Sequence, residues 1–316
     1  HYRRKPDHWA DTSVQKPIYS HRLRFIWIRT RANGRQAIGR LHPHWPSTSS
    51  ISRFRSCPVC GFEIGVKNLR LILTNCTLID CVNPDPKPHA TVIIRAGRIS
   101  DIQDGGTPSH RNKDLIIDLK GSYLLPGLWD VHIHPEHPNP PGTTVAQLTA
   151  AFGQNLQSGL IEAGVTAVRS GGAGHFMDVA WREAFSGPGP AGPRIFACGN
   201  FLTTTGGHFL TSGHAKECNG PYGYAEAIRE QIKHDVDHIK LNLSGGIMGP
   251  RWDRHTESFM LPEEIEAAFA LCKQRNFPVM AHATNSDAVK VAIKMGARSV
   301  EHGYICLLYT SPSPRD

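Results

Sequence analysis

From Pro126 onward one pattern restricts the fold more than any other: short β-type runs alternate with longer amphipathic runs. The β-type runs are WDVHIHP, TAVRSGG, PRIFACGN, HIKLNLSGG, PVMAHAT and SVEHG. Helical stretches such as VAQLTAAFGQNLQSGLIEAG, YGYAEAIREQIKHDV and LPEEIEAAFALCKQRN lie between them. Alternation of this kind builds parallel βα units, which close into a barrel or open into a doubly wound sheet. A nucleotide-binding sheet would want a phosphate-cradling glycine loop after its first strand, and WDVHIHP is followed by none. A barrel wants polar side chains at the C-terminal ends of its strands.

Four strands end that way. In WDVHIHP, residues two apart project to one side, so Asp130, His132 and His134 are expected to share a face, with Val131 and Ile133 on the other. Two imidazoles on one strand face converge as a metal ion would require. HIKLNLSGG places His238, Lys240 and Asn242 on one face and Ile239, Leu241 and Leu243 on the other, toward helices. In PVMAHAT, His282 alternates with Ala281 and Ala283, and in SVEHG His302 stands just before a glycine. Singly, each has an ordinary explanation, a hydrogen-bonded core histidine or a lysine that snorkels to solvent. Together, at the ends of successive strands, they outline a site and favour the barrel.

Upstream, residues 69–124 hold NLRLILTNCTLID, ATVIIRAGRISDI and DLIIDLKGSYLL with Gly and Pro punctuation and no helical period, so residues 67–125 are expected to form a small β portion. The formal charge of +8 is uneven: residues 1–66 carry ten Arg and two Lys against Asp7, Asp11 and Glu63, while the rest is near neutral. A basic patch suggests nucleic acid. The body of the chain gives no such signal, and no nucleic-acid partner is expected.

The leader, residues 1–66, shows no sustained period in RTRANGRQAIGRLHPHWPSTSSISRFRS and is expected to be disordered or non-native. No methionine precedes Met177, which suits an extension whose start is lost or an intron read in frame. An Arg-rich, acid-poor leader would also suit a transit peptide, but a segment of uncertain origin carries no address. At the other end, CLLYTSPSPRD, residues 306–316, matches the translation of a transposase sequencing adapter, so the native sequence is expected to stop after about Ile305. No apolar run approaches the roughly 18 residues that span a bilayer, so no membrane partner is expected. Cys57 and Cys60 in CPVC, with Cys76 and Cys81, superficially suggest a zinc ribbon, but a spacing of five in a strand sends Cys76 and Cys81 to opposite faces. Eight cysteines without a secretory signal favour a reducing compartment, the cytoplasm by default.

PGLWDVHIH, DHIKLNLSGG, VMAHA and SVEHG, in that order, resemble the amidohydrolase superfamily over about residues 69–305. TTTGGHF, IKLNLSGG and AHATNSDAV look like the imidazolonepropionase-like branch that includes prolidases, carboxypeptidases and ochratoxin-hydrolysing amidases. The resemblance implies an α/β fold, a (β/α)8-type barrel with only about six strands present, beside a β-sandwich portion. It implies His132 and His134 on one divalent metal, His282 and His302 on a second, and Lys240, carboxylated by carbon dioxide, bridging both. Neutral imidazoles suit zinc, and carboxylation converts a repelling ammonium into an anionic oxygen ligand. A hydroxide shared by the metals would attack an amide of a dipeptide-like or N-acyl amino acid substrate.

His208, in the loop after the third strand, is placed to touch a substrate carbonyl or carboxylate, and Arg169 in TAVRSGG is placed to pair with a carboxylate or to hold its loop. The family's proton-shuttling aspartate belongs to strand eight, beyond the six strands seen, so the catalytic acid–base stays unassigned and the chain as written is expected to be inactive. The alternatives are a cyclic-amide hydrolase or deaminase on the same fold, or a truncated product without function. A full-length form is compatible with homo-oligomers.

Overall fold

A computed structural model describes residues 70–96, 98–106, 108–135, 142–187, 190–210 and 214–304. The leader, Cys57, Cys60 and the tail from 305 onward lie outside the described residues.

The first sheet has five strands: β1 Arg70–Leu78, β2 Lys87–Arg95, β3 Arg98–Asp104, β4 Leu115–Asp118 and β5 Tyr123–Leu124. β2 lies between β3 and β1, both antiparallel to it, while β4 and β5 run parallel to β1. Residues of β1 and β2, among them Leu73, Leu78, Val92 and Ile94, meet Leu119 and Leu124 in one small core, with β1 changing phase at register shifts between Leu73 and Leu78. Cys76 is buried in that core and Cys81 is exposed in the bend after β1; β1 ends at Leu78, so it is the end of the strand, not alternation along it, that separates the two.

The remaining strands are β6 Leu128–Ile133, β7 Val165–Ser170, β8 Arg194–Phe196, β9 Phe201–Thr203, β10 Ala215–Glu217, β11 Ile239–Asn242, β12 Val279–Ala283 and β13 Ser299–His302. All pair in parallel, in the orders β6-β7-β8 and β10-β9-β11-β12-β13. The N–H groups of Asp237 and His238 both donate to Ala197 O, at 2.7 and 3.3 Å, stitching the end of β8 to the start of β11. The result is an arc of a (β/α) barrel whose core is built on Ile195, Leu202, Ile239, Leu241, Val279 and Ala281. Among the described strands, β6 pairs only with β7 and β13 only with β12. Leu128, Trp129 and Val131 on β6 are exposed.

Among the described residues five α-helices cover the arc: α1 Val145–Ser158, α2 Met177–Ala184, α3 Gly220–Lys233, α4 Pro262–Gln274 and α5 Ser286–Met295. Local signals set their ends. Thr144 and Gln147 form a reciprocal capping box at the start of α1, with Thr144 N–H donating to Gln147 Oε1 at 2.9 Å. Asn285 Oδ1 caps α5 by accepting from Ala288 N–H at 2.9 Å, and Gly296, left-handed at φ 84°, ends it. Buried Glu264 joins α3 to α4, accepting from Gly220 N–H at 2.6 Å and Leu261 N–H at 2.8 Å. Strand and helix ends of this kind leave the C-terminal edges of β6, β11, β12 and β13 next to one another.

Candidate metal centre

The histidines read from sequence gather at those strand ends. His132 lies at the end of β6, His134 just after it, His282 on β12 and His302 at the last position of β13. Their rings form a chain: centroids are 5.4 Å apart for His134–His132, 4.9 Å for His132–His302 and 4.6 Å for His302–His282. His208, from the loop after β9, stacks on His282 at 4.0 Å.

Lys240 on β11 is buried against this chain, with Nζ 3.3 Å from His132 Nε2 and donating to Gly171 O at 3.2 Å. No three His, Cys, Asp or Glu side chains among the described residues stand as a closed ligand set. Each ring neighbours the next, and the lysine lies against His132.

The backbone explains how the ligand candidates reach one place. β6 is not a regular strand: its register slips between Asp130 and Ile133, three residues spanning what takes two on β7. Asp130 is exposed and accepts the His132 N–H at 3.3 Å, while both histidines are partly buried. The expected sharing of a face by Asp130 therefore breaks at the bulge. On β13, Glu301 turns inward and is buried while Val300 packs against the helix-side core. Simple alternation would send His302 outward with Val300. Instead His302 adopts φ 74°, a left-handed conformation rare for non-glycine residues, and its ring joins the cluster.

Gly171 fits between the first two histidines: a Cβ there would stand 2.6 Å from His132 Nε2 and 3.0 Å from His134 Nε2. Both nitrogens thus approach the same spot.

Hydrogen bonds set which ring nitrogen faces the cluster. His132 Nδ1 donates to Glu301 Oε2 at 2.8 Å and His134 Nδ1 to Gly172 O at 3.1 Å, leaving each Nε2 as the lone-pair nitrogen. His282 donates through Nε2 to Gly245 O at 3.0 Å, leaving Nδ1. His208 Nδ1 meets both oxygens of buried Asp253, at 3.0 and 2.9 Å, and Asp253 is itself held by the N–H groups of Phe209 and Gly246.

Loss of water lowers the pKa of several of these rings. Partial desolvation, with the charges of His132 and Lys240, pulls the still exposed His302 down to about 4, and burial takes His282 well below its ordinary value, with help from His208 and Lys240. His132 and His208 are lowered chiefly by burial as well. The Lys240 ammonium falls to about 8 because it is buried. Burial pushes the Glu301 carboxyl up, but the bonds from His132 and Ser299 and the charge of Arg169 together bring it to about 2.

Neutral imidazoles with one N–H anchored to oxygen are the donor chemistry a zinc-type ion takes. The donor set fits a divalent ion in type and tautomer.

Arg169, on β7, is tied down through all three guanidinium nitrogens. Its Nε donates to Val131 O at 2.7 Å, Nη1 to Ser299 Oγ at 2.9 Å and Nη2 to Glu301 Oε1 at 2.7 Å. Sequence reading passed over Glu301, although it adjoins His302. It also passed over Asp253, which is 45 residues from His208 and carries no local signal, and over Phe209. That ring sits at φ 65°, with centroids 5.9 Å from His134 and 5.8 Å from Phe201.

Comparison with known proteins decides the lineage. A model described as "Amidohydrolase family" matches residues 123–309. The chain belongs to that family.

Among curated proteins, an ochratoxinase of Aspergillus niger is 30% identical over 209 residues, covering 57% of this chain and 43% of its own length. A D-hydantoinase of Streptomyces coelicolor is 23% identical over 217 residues, covering 65% of this chain and 39% of its own. The chain thus spans less than half the length of these curated relatives. Among solved structures, a Xaa-Pro dipeptidase with methionine bound in its active site aligns with TM-score 0.67 at 29% identity, covering 75% of this chain and 63% of that one. A prolidase complexed with N-methylphosphonate-L-proline aligns with TM-score 0.66 at 27% identity, covering 75% and 61%. Both solved structures superpose on three quarters of the chain, as the shared fold requires.

Proposed function

We propose that the protein is a metal-dependent hydrolase that cleaves a carbon–nitrogen amide bond in dipeptide-like or N-acyl amino acid substrates. His132 and His134 would hold one divalent ion and His282 and His302 a second, both zinc, and Lys240, once carboxylated by carbon dioxide, would be a ligand to both. Two such ions would lower the pKa of a shared water and polarise the scissile carbonyl.

The observation that carries the reading is Lys240. A buried lysine among imidazoles, 3.3 Å from His132 Nε2 and drawn down to about 8, makes little sense as a permanent cation. Its neutral amine adds to carbon dioxide, forming one N–C bond and releasing one proton, and the product is an oxygen ligand. His208, oriented by Asp253, turns Nε2 toward substrate. Phe209, part-buried and packed against His134 and the buried Phe201, would set an apolar ring beside the ligands of the first ion, suited to a substrate with an apolar side chain. The dipeptidase relative, which holds methionine, supports that choice.

A second reading, a cyclic-amide hydrolase, is favoured by the match to D-hydantoinase and by a dihydroorotase of Methanosphaera stadtmanae, 37% identical over 68 residues.

The test expresses the chain with zinc and 13C-bicarbonate. Two zinc ions per chain and a carbamate 13C resonance are expected, both lost in Lys240→Ala and partly restored, for the metal, by short carboxylic acids. Lys240→Arg fails as well, because a guanidinium is not carboxylated. Retention of two ions by Lys240→Ala would refute the bridge. Hydrolysis of N-acyl amino acids or X-Pro dipeptides supports the first reading, and turnover of cyclic imides alone moves the function to the second.

A further inference from the structure

Arg169 stands on β7, yet its three nitrogens reach three places: Val131 O on β6 at 2.7 Å, Ser299 Oγ on β13 at 2.9 Å and Glu301 Oε1 on β13 at 2.7 Å. Ser299 Oγ also donates to Oε1, at 2.6 Å. One carboxylate oxygen is thereby held from two sides. The other, Oε2, takes the His132 Nδ1–H at 2.8 Å. A carboxylate pinned in this way cannot swing, so the imidazole that donates to it keeps one tautomer and one ring plane. The opposite nitrogen of that ring is the one that meets Lys240, 3.3 Å away.

We propose that Arg169 is a positioning residue for His132: acting through Glu301, it fixes the tautomer and the angle at which His132 Nε2 meets a metal ion. The inference rests on the metal-centre reading above. It gives Arg169 a different task from pairing a substrate carboxylate, since each guanidinium nitrogen already has a protein partner. A mere strut between β7 and β13 would predict a different outcome. Removing a strut lowers stability and weakens every ligand equally. Removing a positioning residue acts on the ion held by His132 and His134 and spares the one held by His282 and His302.

The experiment uses the full chain and two readouts. Zinc affinity is measured by competition with a chromophoric chelator in wild type, Arg169→Met, Glu301→Ala and the double variant. In parallel, ring 15N shifts of the metal-free proteins report the His132 tautomer, its signal assigned by loss in His132→Asn. Arg169→Met is expected to weaken one of two zinc ions by about 10 to 100-fold, in the range seen when outer partners of metal-binding histidines are removed. It should also convert His132 from a pure Nδ1–H form to a mixture. The double variant should be no worse than Glu301→Ala, because the two residues act in series.

Additive losses in the double variant, or an unchanged His132 tautomer in Arg169→Met, overturn the proposal. If Arg169→Met does not fold, Arg169→Lys is read the same way; one ammonium cannot span three acceptors, so it too should release the tautomer. If wild type takes up no zinc, the metal reading falls. The tautomer arm then decides alone: a His132 that stays Nδ1–H without Arg169 sinks the positioning role.

Discussion

Gly171→Ala is the sharpest probe of the site, because the added methyl has nowhere to go. A Cβ at that position would lie 2.5 Å from His132 Cδ2, 2.6 Å from His132 Nε2 and 3.0 Å from His134 Nε2. Carbon contacts are comfortable at roughly 3.5–4.0 Å, so the His132 ring has to retreat by about 1 Å or the β7–β6 contact has to open. Metal sites hold ligand distances to within about 0.2 Å, and a misplacement of about 1 Å costs on the order of 100-fold at a reacting centre. Overpacking should cost about 1–3 kcal/mol of stability, a few degrees of melting temperature in a domain of this size. Two measurements check this: zinc competition against a chelator, expected to fall about 100-fold for one ion, and a thermal melt. Gly159→Ala is the control, since nothing beyond its chain neighbours and its own helix backbone lies within 4 Å of its Cβ position. Two ions bound by Gly171→Ala within threefold of wild-type affinity, with an unchanged melt, would refute the convergence of the two histidines on that spot.

Further expectations concern parts of the molecule away from the site. Hydrogen bonds from Arg70, with Arg111 N–H, hold the Asp114 carboxyl down to about 2 from its ordinary 3.8. A folded pKa depressed in this way contributes stability that is complete above about pH 4 and drains as pH falls toward 2. Asp114→Asn should therefore lower the melting temperature at pH 6 and change it little at pH 2; equal effects at both would argue against the ion pair. Tyr224 is fully buried, and its hydroxyl has no hydrogen-bond partner among the described residues. Tyr224→Phe should be neutral or stabilising by up to about 1 kcal/mol, and a denaturant titration showing a loss above about 1 kcal/mol would reveal a partner for that oxygen.

Much of the fold is legible in the residue pattern, for reasons specific to each element. The six βα strands announce themselves because short apolar runs recur between amphipathic helices, and α1 and α5 carry their capping residues in sequence. Lys240 and His282 are readable because their strands keep strict alternation, one residue facing the helices and the next the barrel interior. What is not legible depends on distant partners. The short strands β9 and β10 pair only once the arc has formed, and their sequence, FLTTTGGHF and its continuation, reads as loop. Asp253 acquires meaning only beside His208. Arg169 reads as an exposed cation until β13 brings Ser299 and Glu301 against it. Alternation misleads at β6 and β13, where a bulge and a left-handed residue re-aim the side chains that gather at the site.

The left-handed turn at His302 reaches beyond geometry to the grammar of the strand. A regular strand offers a given layer only every second position, so a ligand and its neighbour's buttress cannot normally be adjacent letters. Here Glu301 and His302 both serve the histidine cluster, and Gly303, at φ 55°, continues the turn. The cost of that compression falls on which amino acids position 302 accepts: Asn or Asp tolerate the conformation, whereas a β-branched residue of any polarity would unwind it. Substitutions there should sort by backbone preference before they sort by chemistry.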